Sequence, residues 1–391
     1  MEYQFKKTSI MKHAIILLLH IGLFFPIMAQ QTIYESIMHD GIQRDYILYI
    51  PAIYDGNTNV PLVLNFHGIA SNATEQMFYG DFREIADTEG FILVHPEGTL
   101  LNGDQHWNVD NFTTGTTIGS TADDVSFTGA LIDELTSQYA INLDRIYSTG
   151  MSNGGYMSLL LACQLSEKIA AVASVTGSMT PETYDACNAQ HPTPILQIHG
   201  TSDSDVPYNG VWWSRSIEDV ISYWVSYNNC DTNPTIMSFP DIDPLDGSTV
   251  DHFVYSDGDN GVTTEHMKVI GGNHTWPGSA FDLPGLNTNQ DINASMEVWQ
   301  FFSRFDINGQ LSFNEFDNRQ VIIYPNPISS KINLSLNFSG ELNYELFSPL
   351  GKQLIIGTIK SSNQEIDLSN LPPNIYYLKL DNQVFKILKS N

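Results

Sequence analysis

The chain has 391 residues, of which 42% are hydrophobic and 16% charged, and a net charge of −27. That is a globular composition with apolar residues enough for more than one core, and it excludes a disordered chain. Residues 31–318 hold 38 acids against 7 Lys or Arg, while residues 319–391 hold 5 against 7, so the acidic part repels nucleic acid, anionic lipid and polyanionic glycans; it suits neutral polymers or, as the equal alternative, serves only to keep the chain soluble.

Lys6, Lys7 and Lys12 precede an apolar run over 14–29 that ends in Ala29. The pattern predicts a secretory signal over 1–30, cleaved near Ala29 or Gln30, and therefore an exported chain with no membrane span once mature. The run is short for a span and is interrupted by His20 and Pro26.

Residues 32–38 and 44–50 alternate polar and apolar around a tight turn, which predicts an antiparallel pair at a sheet edge. From residue 60 the pattern becomes strand, helix, strand. Apolar strand runs fall at 60–66, 91–94, 145–149, 170–175, 195–199 and 267–270, and helical periodicity at 74–88, 124–139, 155–165, 214–227 and 291–305. This is an α/β fold, with a mostly parallel sheet covered by helices on both faces. Asp123 and Asp124 stand where caps of the second helix are expected.

Gly150-Met-Ser-Asn-Gly154 joins the 145–149 strand to an apolar helix. A serine at the apex of so sharp a turn needs glycine two residues to either side, because a Cβ there meets the crossing backbone. Ser152 is the expected nucleophile. A serine hydroxyl is weak at neutral pH and needs a base, and the base needs an orienting acid. Asp203, with Asp205 as the alternative, follows the 195–199 strand, and His274 follows the 267–270 strand in a glycine-rich loop. The order Ser, Asp, His is that of α/β-hydrolases, with every member at the C-terminal end of a strand. The oxyanion donors are expected to be the backbone N–H groups of Asn153 and of Ile69, in the loop after the 60–66 strand.

Only 51 residues separate Ser152 from Asp203, which leaves no room for a large cap domain. An open site admits a bulky polymer. Trp107, Tyr208 and Trp276 lie near the predicted catalytic loops and are the expected aromatic platforms for substrate. Three cysteines in an exported chain suggest one disulfide and one spare thiol; the expected pair is Cys187 with Cys230, leaving Cys163 buried on the helix after the elbow. No zinc-site spacing occurs, so neither metal nor cofactor is expected. The Asp-rich loops 241–246 and 257–261 lack an EF-hand pattern and read as solvated turns.

Residues 32–305 resemble the extracellular esterases grouped as feruloyl esterases, acetylxylan esterases and poly(3-hydroxybutyrate) depolymerase-like proteins, carbohydrate esterase family one. The matching strings are Ala122-Asp-Asp-Val-Ser-Phe127, Gly150-Met-Ser-Asn-Gly-Gly-Tyr-Met157, His199-Gly-Thr-Ser-Asp203 with Val206-Pro-Tyr208, and Gly272-Asn-His-Thr-Trp-Pro-Gly278. The resemblance favours Asp203 as the acid, and it implies a secreted serine carboxylesterase acting on a polymeric ester. The expected substrate is a feruloyl or acetyl group on plant polysaccharide such as xylan, with a polyester as the alternative. A non-catalytic binding protein on a decayed hydrolase scaffold is the competing class; it requires a missing triad member, and none is missing.

Residues 306–320 read as a linker, and 321–391 as a small all-β, sandwich-like module. Its Tyr324-Pro-Asn-Pro327 opening and lysine-bearing last strand, Phe385-Lys-Ile-Leu-Lys389, resemble the C-terminal sorting domain of type IX secretion in Bacteroidetes. The resemblance implies the type IX machinery as a partner and a secreted or surface-attached product. A carbohydrate-binding module is the runner-up, with Tyr376, Tyr377 and Phe385 as its candidate aromatics.

Overall fold

A computed structural model describes residues 30–109, 121–281, 287–311, 321–324, 326, 328–336, 342–348, 352–360, 363–380 and 383–389. The expected signal over 1–30 lies almost entirely outside the described residues. The chain divides into two compact units, Met1–Leu311 and Ser312–Asn391.

In chain order the first unit comprises β1 (Gln31–His39), β2 (Ile42–Ile50), β3 (Val60–Phe66), α1 (Ala73–Tyr79), α2 (Arg83–Glu89), β4 (Ile92–Pro96), and a hairpin of β5 (Thr99–Leu101) and β6 (Asp104–His106). There follow α3 (Asp124–Gln138), β7 (Ile141–Met151), α4 (Asn153–Gln164), β8 (Ala171–Val175), α5 (Pro181–Ala186), β9 (Ile195–Gly200) and α6 (Ile217–Tyr227). Last come β10 (Thr235–Ser238), β11 (Thr249–Tyr255), β12 (Thr264–Ile270), α7 (Ala294–Phe302), β13 (Phe305–Asp306) and β14 (Gly309–Gln310).

Ten strands form one sheet in the order β1-β2-β4-β3-β7-β8-β9-β12-β11-β10. The strands from β4 through β12 in that order pair in parallel, and the outer ones are antiparallel. Central strands read as unbroken apolar runs because both of their faces are covered. Leu62, Leu64 and Phe66 of β3 join a core with Leu131, Leu160 and Val220 from α3, α4 and α6, whereas Val63 between them joins Ile85 of α2 and Val298 of α7 on the other face.

The expected helix over 74–88 is two helices. Gly80 ends α1, its N–H bonding to Gln76 O, and α2 starts afresh after Phe82. Asp123 caps α3 by accepting the Ser126 N–H, but Asp124 is no cap: it is buried in an ion pair with Arg44 at 2.6 Å and accepts the Asn108 N–H at 2.7 Å. The first unit also runs past residue 305, because β13 and β14 pair and the Ile307 N–H bonds to Asp144 O, so residues 306–311 pack with it rather than forming a linker.

The cysteine pairing differs from expectation. Cys163, at the end of α4, is bonded to Cys187, the residue that ends α5, and Cys230 is the free thiol. Helix α4 points its last turn at α5, which puts the two Cα atoms 4.8 Å apart. Cys230 is instead enclosed by Tyr208, Ile217, Ile221 and Val225.

In the second unit, β15 (Val321–Tyr324), β16 (Lys331–Leu336) and β19 (Asn363–Asp367) form one antiparallel sheet. A second holds β18 (Gln353–Ile359), β17 (Leu342–Phe347), β20 (Asn374–Leu380) and β21 (Gln383–Lys389) in that order. Asn326, within the Tyr-Pro-Asn-Pro string, clamps β21 by accepting the Leu388 N–H and donating to Lys386 O, both at 2.8 Å. Tyr376 is buried with its hydroxyl donating to Pro372 O, so it offers no ring for sugar binding.

Candidate active site

The elbow between β7 and α4 holds Ser152 at φ 54° and ψ −120°, a left-handed conformation that L-residues adopt only under constraint. The constraint is close backbone packing. A Cβ on Gly150 would lie 2.6 Å from Phe66 O, and one on Gly154 only 2.2 Å from it. Ser152 N–H donates to Val175 O at 2.9 Å, which ties the apex to β8. The Ser152 side chain makes no capping bond to α4, and Ser152 lines a cavity at the positive end of that helix.

Asp203 sits in the turn after β9. Its Oδ1 accepts the N–H groups of Asp205 and Val206 at 3.0 and 2.8 Å, and its Oδ2 accepts from His274 Nδ1 at 2.8 Å. Burial pushes the Asp203 carboxyl up, but the hydrogen bonds from His199 and His274 more than reverse this and hold it well below the usual carboxylate range. Asp205 is exposed and contributes its backbone rather than its carboxylate to this network. The Asn273 amide, oriented as its neighbours require, donates to Ser202 O at 2.7 Å and accepts the Asn287 N–H at 3.2 Å, which fastens the loop that carries His274 to the loop that carries Asp203.

Ser152 and His274 open onto one cavity of about 970 Å³. Ile69 and Asn153 also line it, and a Cβ on Gly68 would lie 3.4 Å from the Ser152 Cβ, so the loop after β3 passes directly beside Ser152. The Ala70 N–H in that loop is bound to Gln105 O.

The three aromatic residues expected to bind substrate fare differently. Trp107 borders the cavity yet is 1% exposed, with its indole N–H donating to His67 O at 2.9 Å and its ring edge-on to Phe66. Tyr208 is turned inward, its hydroxyl donating to Glu218 at 2.6 Å, and Trp276 packs against Phe82 while its indole N–H donates to Ser295. The exposed aromatic residues that line the cavity are Trp212, 80% exposed, Phe281 and Phe78, with Trp213, Tyr79 and Tyr156 beside them. The signal for Trp212 was the Trp212-Trp213 pair just beyond the acid loop, where two large apolar side chains interrupt a polar turn. Among the described residues no group of three or more His, Cys, Asp or Glu could hold a metal ion, and no helix is long and apolar enough to cross a membrane.

Residues 44–204 match the family model "Esterase PHB depolymerase", and residues 322–390 match "Secretion system C-terminal sorting domain". Over residues 44–204 the first unit is similar to the esterases of that family. The chain is 27% identical over 283 residues to a bifunctional acetylxylan esterase/xylanase of Neocallimastix patriciarum, covering 72% of this chain and 36% of that protein. It is 35% identical over 169 residues to feruloyl esterase B of Piromyces equi, covering 43% and 30% respectively. The chain thus spans about a third of the length of these two curated relatives. An acetyl xylan esterase from Aspergillus awamori, 14% identical, superposes with a TM-score of 0.51 over 69% of this chain and 99% of that one, which shows the α/β-hydrolase fold. The sorting domain makes this esterase-family chain a secreted or cell-surface protein.

Proposed function

We propose that the protein is a secreted serine carboxylesterase that removes feruloyl or acetyl groups from plant polysaccharide such as xylan. The observation that carries this reading is the Asp203–His274 hydrogen bond at 2.8 Å on a base that shares its cavity with the elbow serine. Ser152 Oγ attacks the ester carbonyl and its proton passes to His274 Nε2. Asp203 holds the imidazole with Nδ1–H turned inward and stabilises the imidazolium. The N–H groups of Asn153 and Ile69 receive the oxyanion, aided by the N-terminus of α4. Collapse expels the alcohol, which takes the proton from His274; water then attacks the acyl-enzyme by the same steps and releases the acid.

The relatives named as acetylxylan and feruloyl esterases support the choice of substrate. So does the cavity, whose rim of Trp212, Phe281 and Phe78 suits an aromatic acyl group or a sugar ring. The matching depolymerase family favours a second reading, hydrolysis of poly(3-hydroxybutyrate). The C-terminal unit would deliver the chain to the type IX secretion machinery.

Release of ferulate from methyl ferulate, of acetate from acetylated xylan and of hydroxybutyrate from its polymer, measured side by side with a Ser152→Ala control, tests both readings. Serine-dependent release of ferulate or acetate alone is expected. Release of hydroxybutyrate alone would make the protein a polyester depolymerase, and activity that survives Ser152→Ala would remove the mechanism.

A further inference from the structure

Asp203 is contacted by two histidines. Besides His274, the buried His199 on β9 brings its Nε2 to 3.3 Å from Asp203 Oδ2 and 2.9 Å from Val206 O. Both neighbours are acceptors, so Nε2 carries the proton and Nδ1 presents a lone pair. That lone pair is met by Gln197, two residues earlier on the same face of β9, whose Nε2 lies 3.2 Å from His199 Nδ1 and donates to Gly177 O at 2.9 Å. Gly177 O fixes the amide orientation, the amide fixes the histidine tautomer, and the tautomer gives Nε2 a proton that Val206 O accepts and that also faces Asp203 Oδ2.

We infer that His199, set by Gln197, is a positioning residue for catalysis: its Nε2–H, shared between Val206 O and Asp203 Oδ2, is the fourth donor beside the Asp203 carboxylate and keeps it facing His274. Two backbone N–H groups already occupy Oδ1 and His274 occupies one side of Oδ2, so His199 completes the shell. A carboxylate with all four sites engaged neither rotates nor takes the proton from the base. His199 touches no substrate; it lies behind Asp203, edge-on to the Tyr208 ring, with His266 on the neighbouring β12 and Asp203 and His274 as the other titratable groups facing this network. This inference rests on the esterase reading above.

The test compares His199→Leu, His199→Gln and Gln197→Leu with the wild type in the full chain, counting active sites by fluorophosphonate labelling and recording kcat and the pH profile of kcat/KM on a soluble ester. Loss of a donor to the carboxylate makes Asp203 more basic and the protonated base better stabilised, so the acid limb of His199→Leu moves to higher pH. Its kcat per active site falls at least about tenfold, the scale of one hydrogen bond to a charged group. Glutamine places an N–H near the Nε2 position, so His199→Gln restores the limb, and Gln197→Leu shifts it in the same direction by less. A merely structural role would lower the labelled fraction and leave both kcat per site and the limb unchanged, which overturns the inference while the esterase reading stands. A wild type that neither labels nor hydrolyses esters overturns both.

Discussion

Asn153 grips the backbone of Trp107 from both sides: its Oδ1 accepts the Trp107 N–H at 2.7 Å and its Nδ2 donates to Trp107 O at 3.1 Å. The residue whose own N–H is the proposed oxyanion donor therefore also holds the loop after β6, and the Trp107 indole passes that restraint on to His67 O beside Gly68. The elbow, the loop after β3 and the Trp107 wall are coupled through one amide.

Asn153→Ala keeps the backbone donor and removes the clamp. Losing one oxyanion donor costs about a hundred- to a thousandfold in turnover, and here the loop is loosened rather than the donor deleted, so kcat on a soluble ester is expected to fall about tenfold with Ser152 still labelled by fluorophosphonate. Asn153→Asp should be worse, because its second carboxylate oxygen would face Trp107 O. Wild-type kcat in both variants would show that the clamp is incidental.

Trp212 and Trp276 should respond in opposite ways. Trp212 is 80% exposed at the cavity rim, so Trp212→Ala should leave Tm unchanged and raise KM about three- to tenfold for an aromatic or polymeric ester, the range of one stacking contact. Trp276 is 1% exposed in the core, and Trp276→Ala should cost about 3–5 kcal/mol of stability. A variant of Trp212 with normal KM on every ester would remove it from the binding surface.

Peptide mapping of the unreduced protein should recover Cys163 joined to Cys187, with Cys230 unmodified by thiol reagents until the protein unfolds. Burial pushes the Cys230 thiol up, which keeps it from forming the reactive thiolate. Closing a loop over a sequence separation of 24 should stabilise the fold by about 3–4 kcal/mol, read as a lower denaturation midpoint for Cys163→Ala with Cys187→Ala. A peptide joining Cys187 to Cys230 would contradict the structure.

That pairing shows where sequence stops being informative. The sheet was legible because Leu62, Val63 and Leu64 are apolar on both faces, and the elbow because Gly150 and Gly154 have no room for a Cβ. Both follow from local pattern. The partner of Cys187 depends on where the last turn of α4 points, and the inward turn of Tyr208 depends on Glu218 ten residues later, neither of which leaves a periodic trace. The break at Gly80 was hidden because apolar spacing continues on either side of it. Asp124 looked like a second cap, since its buried partner Arg44 lies 80 residues away.

Acid should destabilise the first unit in two stages. His95 is buried and burial lowers it from 6.5 to about 3; a depressed folded value means its stabilising contribution is complete above 6.5 and is lost as pH falls from there toward 3. Burial pushes Glu265 up, but Arg304 at 2.6 Å, His252 at 2.8 Å and Thr263 at 2.7 Å outweigh this and lower it from 4.5 to about 2. Its contribution is likewise present above 4.5 and lost between there and about 2. Tm is therefore expected to decline below pH 6.5 and to fall more steeply below 4.5. Glu265→Gln should lower Tm at pH 7, because Arg304 loses its anion, and flatten only the lower stage. His95→Leu should make only the upper decline shallower, because the buried His266, lowered from 6.5 to about 4 by burial, still loses its contribution there. A Tm that stays level from pH 7 to 5 in the wild type would mean that His95 and His266 charge as readily in the folded chain as in the unfolded one.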